Sequence, residues 1–203
     1  VLWGINTAIQ TVVLGHMNSA AIAANSAASN LYLVVKSAAV GAASAASVMI
    51  GKTIGMGDGE LVKRYARKLQ ILFLLLAIAG GILLYFIRIP VLSLYDLGPE
   101  TMELANQFLI ILSVVYVAMA YQMPTNAGII KGGGSVCFSA KLDTVCICLI
   151  VIPLSCYMAF VAGASPAVVV ICLNIDQFIK CVPVFLKVNY GNWMKKLTRE
   201  GNI

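Results

Sequence analysis

Of 203 residues, 61% are hydrophobic and only 11% charged, against about 25% charged in soluble proteins, so this is an integral membrane protein with no room for a soluble domain. The net charge of +6 does not point to nucleic acid, because the cations fall at the ends of apolar segments, where positive-inside topology puts them. At roughly 20 residues per span, the length accommodates about six transmembrane helices in one all-α unit.

The first predicted helix, 1–16, is short for a span. It opens on Val1 inside an apolar run, with no initiator Met and no charged leader, so the chain reads as a fragment. Trp3, Asn6 and Gln10 share a helix face by their spacing. Asn6 and Gln10 either line a cavity or bond to a neighbouring helix, and His16 falls at the interface with no partner at metal-ligand spacing.

The second helix, 20–51, is built from small residues: 19 of its 32 are Ala, Gly or Ser. Small side chains let helix backbones approach closely inside a bilayer, where packing drives association. Its length, about 48 Å, exceeds the hydrocarbon core, so one end projects into the interface. Gly41, Gly51 and Gly55 mark its later part as bendable or broken. Asn25, Ser29, Tyr32 and Lys36 follow at steps of four, three and four and form one polar stripe. Lys36 has to face protein or water, since exposing it to lipid is costly.

Asp58, Glu60, Lys63, Arg64, Arg67 and Lys68 form a short amphipathic entry to the third helix, 60–88, whose apolar run has Gln70 as its one strongly polar side chain. The four cations place this loop in the cytoplasm, and the far-side loop is acidic through Asp96, Glu100 and Glu103. The fourth helix, 100–130, carries Asn106, Gln107, Gln122 and Asn126, with Pro124 predicted to kink it and to free a carbonyl near residue 120. Lys131-Gly132-Gly133-Gly134-Ser135 is the next cytoplasmic turn; it lacks the Lys-Ser/Thr pair and the strand of a phosphate loop. The fifth helix, 136–162, contains Lys141, Asp143 and Pro153. The sixth, 167–190, contains Asp176, Lys180, Pro183 and Lys187, and Trp193, Lys195, Lys196 and Arg199 after it read as a cytoplasmic interfacial anchor.

Four ionisable residues fall within the hydrocarbon: Lys36, Asp143, Asp176 and Lys180, whose formal charges sum to zero. Lys36 and Asp176 sit near the midplane and are expected to pair, and Asp143 lies nearer the cytoplasm. Asp176 and Lys180 are an i, i+4 pair in the favourable order. Such a network either fixes helix register or belongs to an ion or substrate pathway, the usual place for intramembrane carboxylates in helices interrupted by Gly and Pro. A cation leaving it would turn Asp143 or Asp176 into a carboxylate able to take a proton. One histidine and no Ser/His/Asp grouping argue against an enzyme. Six cysteines inside or beside apolar runs, with no CxxC pair, read as small buried hydrophobes, so neither a metal site nor a disulfide nor a cofactor is expected.

Several segments together resemble the carboxy-terminal half of the multidrug and toxic compound extrusion (MATE) transporters. They are Ala20-Ala21-Ile22-Ala23-Ala24-Asn25, Gly41-Ala42-Ala43-Ser44-Ala45-Ala46-Ser47-Val48, Ile50-Gly51-Lys52, Gly55-Met56-Gly57-Asp58, Gly128-Ile129-Ile130-Lys131-Gly132-Gly133-Gly134, Asp176-Gln177-Phe178-Ile179-Lys180 and Trp193-Met194-Lys195-Lys196-Leu197-Thr198. The resemblance implies a twelve-helix antiporter of two six-helix lobes, exporting organic cations and drugs against Na+ or H+ by alternating access. This chain would be helices seven to twelve, its partners the bilayer, a small organic substrate and the amino-terminal lobe, with no nucleic acid. It implies a multi-pass protein of the inner or plasma membrane with both ends of the segment cytoplasmic. Family members commonly carry Gly-Asp-Thr after the tenth helix, where Ser135 and Val136 follow the glycines here. Some branches place coupling carboxylates in helices seven and ten, where this chain has Asn6, Gln10, Gln122 and Asn126. Two other readings stand beside antiport: a flippase for lipid-linked saccharides, with Lys36 accepting phosphate, and a structural or accessory membrane subunit.

Overall fold

The structure is a computed structural model that describes residue 12 and residues 19–93 and 98–194. The predicted first helix, with Asn6, Gln10 and His16, and the cations from Lys195 onward lie outside the described residues, as does Asp96. The described residues contain no strand and five helices long and apolar enough to cross a membrane. These are α1 (Ser19–Gly55), α2 (Gly59–Leu92), α3 (Pro99–Ile130), α4 (Val136–Val161) and α5 (Pro166–Tyr190). Exposed apolar side chains such as Leu75, Phe86, Leu149, Val161 and Tyr190 supply the lipid-facing surface such helices need. The chain is a multi-pass membrane protein.

Two expectations about these elements change. Helix α1 is one uninterrupted 37-residue helix through Gly41 and Gly51, ending only at Gly55; close packing along its small-residue face, described below, holds it in register. The charged run 58–68 does form the entry to α2, and Asp58 caps it, its carboxylate accepting from the Leu61 N–H at 2.9 Å. Trp193 is no interfacial anchor: it is 1% exposed, its indole N–H donates to the Val188 carbonyl at 2.9 Å, and its ring lies against Gly133. A Cβ at Gly133 would overlap that ring, which gives the triple glycine a packing role.

The irregularity expected at Pro124 takes the form of a change in winding. After Pro124, α3 continues as a π-helical turn, Thr125–Ile130. Helix α4 has two more, Cys146–Val151 and Tyr157–Val161, on either side of the short α-helical Ile152–Cys156 that holds Pro153. A π turn admits an extra residue and rotates the helix beyond it, and such turns concentrate at functional sites.

Helix α3 is the hub, with 56% of its most apolar window buried against 28–39% in the other four. It packs on α1, α2 and α5. Against α1 the approach is backbone to backbone: a Cβ on Gly128 would come within 2.8 Å of the Ala43 carbonyl and of the Ala46 methyl. Further along, the Tyr116 hydroxyl donates to the Val35 carbonyl at 3.1 Å. Two apolar cores result, one around Leu84, Phe108, Leu112 and Leu173, the other around Ile50, Phe73, Ile129 and Trp193. On α3 and α5 the stretch between them holds Gln122, Asn126, Asp176 and Lys180, so the charged residues occupy a layer between two greasy ones.

Gly128→Ala is expected to destabilise the protein by about 1–3 kcal/mol, since backbone atoms have to give way. Gly41→Ala, which meets nothing within 4 Å, is expected to leave stability unchanged or raise it by about 0.5–1 kcal/mol. Thermal unfolding of the two purified variants, followed by intrinsic fluorescence, checks the contrast.

Candidate functional site

Asp176 and Lys180 stand one turn apart on α5, so their side chains meet on the face turned to the bundle. The Lys180 ammonium lies 2.8 Å from Asp176 Oδ2 and 3.1 Å from Asp143 Oδ1 of α4. Both α5 side chains are buried, at 3% and 6% exposure, whereas Asp143 is at 29% and opens toward the rim. There Lys131, in the turn after α3, approaches Asp143 Oδ2 at 4.0 Å. The ammonium is thus shared by two carboxylates on two helices, and the outer carboxylate has a second cation in reach.

The cluster continues by hydrogen bonds into α3. Gln177 Nε2 donates to Asp176 Oδ2 at 2.9 Å, and Gln122 Nε2 donates to Gln177 Oε1 at 2.8 Å. Two acceptors on this chain, Asp176 Oδ1 and Gln122 Oε1, are buried without a hydrogen-bond partner. Unsatisfied buried acceptors are rare and costly, and they mark a place that a proton donor or a cation would stabilise. Asp176 also acts electrostatically on Lys36 and on the Tyr32 hydroxyl of α1, and the Cys146 thiol of α4 lies in the field of Asp143, Asp176 and Lys180.

The predicted site residues therefore divide. Asp143, Asp176 and Lys180 are brought together directly, Gln122 is joined to them through Gln177, and Tyr32 and Lys36 face Asp176 electrostatically. Asn25, Ser29, Tyr32 and Lys36 are all half-buried along α1, consistent with one shared stripe. Tyr32 packs edge-on to Tyr116, with ring centroids 6.1 Å apart. Asn126 makes a separate link, accepting from the Ser139 hydroxyl and tying the π turn of α3 to α4.

Several participants escaped the sequence. Lys131 looked like an ordinary cytoplasmic cation, and Gln177 gave no signal beyond its place beside Asp176. A second polar knot forms where Gln70 Oε1 of α2 accepts from the Tyr121 hydroxyl at 3.0 Å and from Asn189 Nδ2 at 3.1 Å. Gln70 stood out as a lone polar residue, but Tyr121 and Asn189 lie 51 and 119 positions away along the chain. The six cysteines are free thiols, of which Cys146 and Cys172 are buried while Cys137 and Cys148 face outward, so the small-hydrophobe reading fits only part of the set.

A family model described as MatE matches residues 2–158. A solved structure of a MOP superfamily transporter from Pyrococcus furiosus Vc1 (DSM3638), described as having a binding pocket of reverse polarity that suggests a different function, is similar in fold. The TM-score is 0.86 at 15% identity, over 100% of this chain and 45% of that one. This chain thus spans less than half the length of that transporter. No curated protein matches the chain.

Removing Lys180 takes from buried Asp176 the ammonium in contact with it, so Lys180→Met is expected to cost about 3–5 kcal/mol of stability. The Lys180→Met/Asp176→Asn double variant should recover part of the loss. Lys131→Met, removing a cation that is 39% exposed and 4.0 Å from its partner, should cost less than about 1 kcal/mol. Unfolding midpoints of the three variants, measured in one detergent, rank the contributions.

Proposed function

The chain belongs to the MatE family, and on that premise we propose that it forms the carboxy-terminal six-helix lobe of a twelve-helix secondary antiporter. The antiporter exports organic cations, drugs among them, in exchange for Na+ or H+ by alternating access. The observation that carries this reading is the buried Asp143–Lys180–Asp176 cluster, set between two apolar cores and beside π turns in α3 and α4. Carboxylates at membrane depth are expensive, and in irregular helices they belong to ion and substrate pathways. The Asp143 and Asp176 carboxylates attract an organic cation or a coupling ion, and Lys180 offsets one of their two charges while the site is empty. Asn25, Tyr32 and Lys36 supply the α1 wall of the pathway, and Gln122 and Asn126 the α3 wall. Asn6 and Gln10 belong to it on the sequence reading.

A second reading has a specific observation in its favour. Lys180 is buried in the cluster and Lys36 shares the field of Asp176, so the same layer offers two cations to an anionic headgroup. The pocket of reverse polarity described for the Pyrococcus transporter makes a lipid-linked saccharide phosphate the natural competitor as substrate.

The two readings separate in liposomes carrying the full-length transporter that contains this chain. Gradient-driven movement of a cationic dye, competed by other organic cations and not by a polyprenyl-phosphate saccharide, is the outcome expected for antiport. Competition by the anionic lipid alone would establish the flippase reading instead. Asp176→Asn, which keeps the side chain's shape and removes its charge, is expected to slow dye movement about tenfold or more, within the range of coupling between linked sites.

A further inference from the structure

We propose that Lys180 stays with the Asp143–Asp176 pair through the cycle, moving between the two and filling the cation place of this lobe, so that the coupling ion its carboxylates exchange is a proton, taken up at Asp176, and not Na+. The inference rests on the antiport reading above and identifies the ion. Its ground is the geometry around one ammonium, held 2.8 Å from Asp176 and 3.1 Å from Asp143. Those contacts are where a small cation bridging the two carboxylates would sit.

A Na+ ion brought to the same carboxylates meets the ammonium. Two unit positive charges about 4 Å apart repel by about 4 kcal/mol even at an effective dielectric of 20. The remaining ligands are few. Asp176 Oδ1 and Gln122 Oε1 are the side-chain acceptors left buried without partners in this cluster.

A proton needs none of these ligands. When Lys180 moves fully onto Asp143, which it already touches, the Asp176 carboxylate loses the ammonium in contact with it, keeps the field of Lys36, and takes one proton from a hydronium ion in the pathway. One O–H bond forms at Asp176 as one O–H bond of the hydronium breaks and releases water. When the ammonium returns, the proton leaves to water on whichever side the pathway then faces. Lys131, 4.0 Å from Asp143 Oδ2, can hold Asp143 when Lys180 moves back. The groups facing Asp176 are Lys36 and Tyr32 on α1, Asp143 and Cys146 on α4, Lys180 and Gln177 on α5, and Gln122 of α3 through Gln177. Among the described residues, the ion pairs to both carboxylates are made by Lys180.

The test uses the full-length transporter containing this chain, with dye transport in liposomes and calorimetric Na+ titration of the purified protein in choline buffer. Wild type should bind no Na+ that depends on Asp176, transport under a pH gradient, and change rate less than about twofold when choline replaces Na+, while Asp176→Asn should lose the pH response by about tenfold or more. Lys180→Met should acquire Na+ binding that the Lys180→Met/Asp176→Asn double variant loses. Lys180→Arg, which keeps the charge, should remain indifferent to Na+ and shows that the fold tolerates change at this position. Na+ binding by wild type that Asp176→Asn abolishes overturns the inference, as does pH-driven transport that Asp176→Asn leaves unchanged. Dye movement under neither gradient overturns the antiport reading instead, and the Na+ titrations, which need no transport, still decide whether the ammonium keeps the ion out.

Discussion

An ammonium buried within a bilayer has to be neutralised where it stands, because neither lipid nor bulk water is available to do it. At Lys180 the requirement is met by two carboxylates from different helices, and much of the described architecture depends on it. Helix α5 has to turn its 176–180 face inward, α4 has to bring Asp143 alongside, and α3 has to support the arrangement through Gln122 and Gln177. Holding one cation between two anions also makes the cluster redundant. Either carboxylate can keep the lysine, so neither is indispensable at every moment, as a site that exchanges partners during a cycle requires.

On α3 and α5 the polar layer is flanked by the apolar cores at Phe108–Leu112 and at Ile129–Ile130, which lower the local dielectric and so strengthen the ion pairs and raise the cost of breaking them. The backbone changes pitch in the same region. One π turn begins immediately after Pro124, beside Gln122, and another begins at Cys146, one turn beyond Asp143. Meanwhile α1 lies against α3 with Gly128 on Ala43 and Ala46, an approach that only a side chain of hydrogen allows. A long regular helix of small residues thus faces two helices whose winding changes at the charged layer.

Much of this was legible in the chain. Composition dictated a membrane protein because hydrophobic content this high cannot be kept in water, and the five described helices lie within about four residues at each end of the segments read from hydropathy and turn chemistry. Three of the four intramembrane charges proved to be in direct contact, since a charge in hydrocarbon must seek its opposite. The contribution of Gln122 was legible as a polar residue in an apolar helix, though its route to Asp176 through Gln177 was not. Trp193 was misplaced for a general reason: an aromatic beside lysines fits an interfacial belt by sequence, and only the hollow over Gly133 shows that the ring turns inward.

The sequence alone determined everything fixed by one residue meeting one solvent: the membrane location, the spans, the small-residue helix and the expense of Lys36, Asp143, Asp176 and Lys180. The tertiary structure decided the features that depend on two segments meeting. It gave Lys180 two carboxylates, drew Lys131 from the cytoplasmic turn to the rim of the cluster, paired Gln70 with Tyr121 and Asn189, and left Asp176 Oδ1 without a donor. The physical reason is range. Hydrophobicity is a property each residue carries along the chain, whereas an ion pair or hydrogen bond forms within about 3–4 Å, and which helices come that close is set by packing and by the pitch of the π turns.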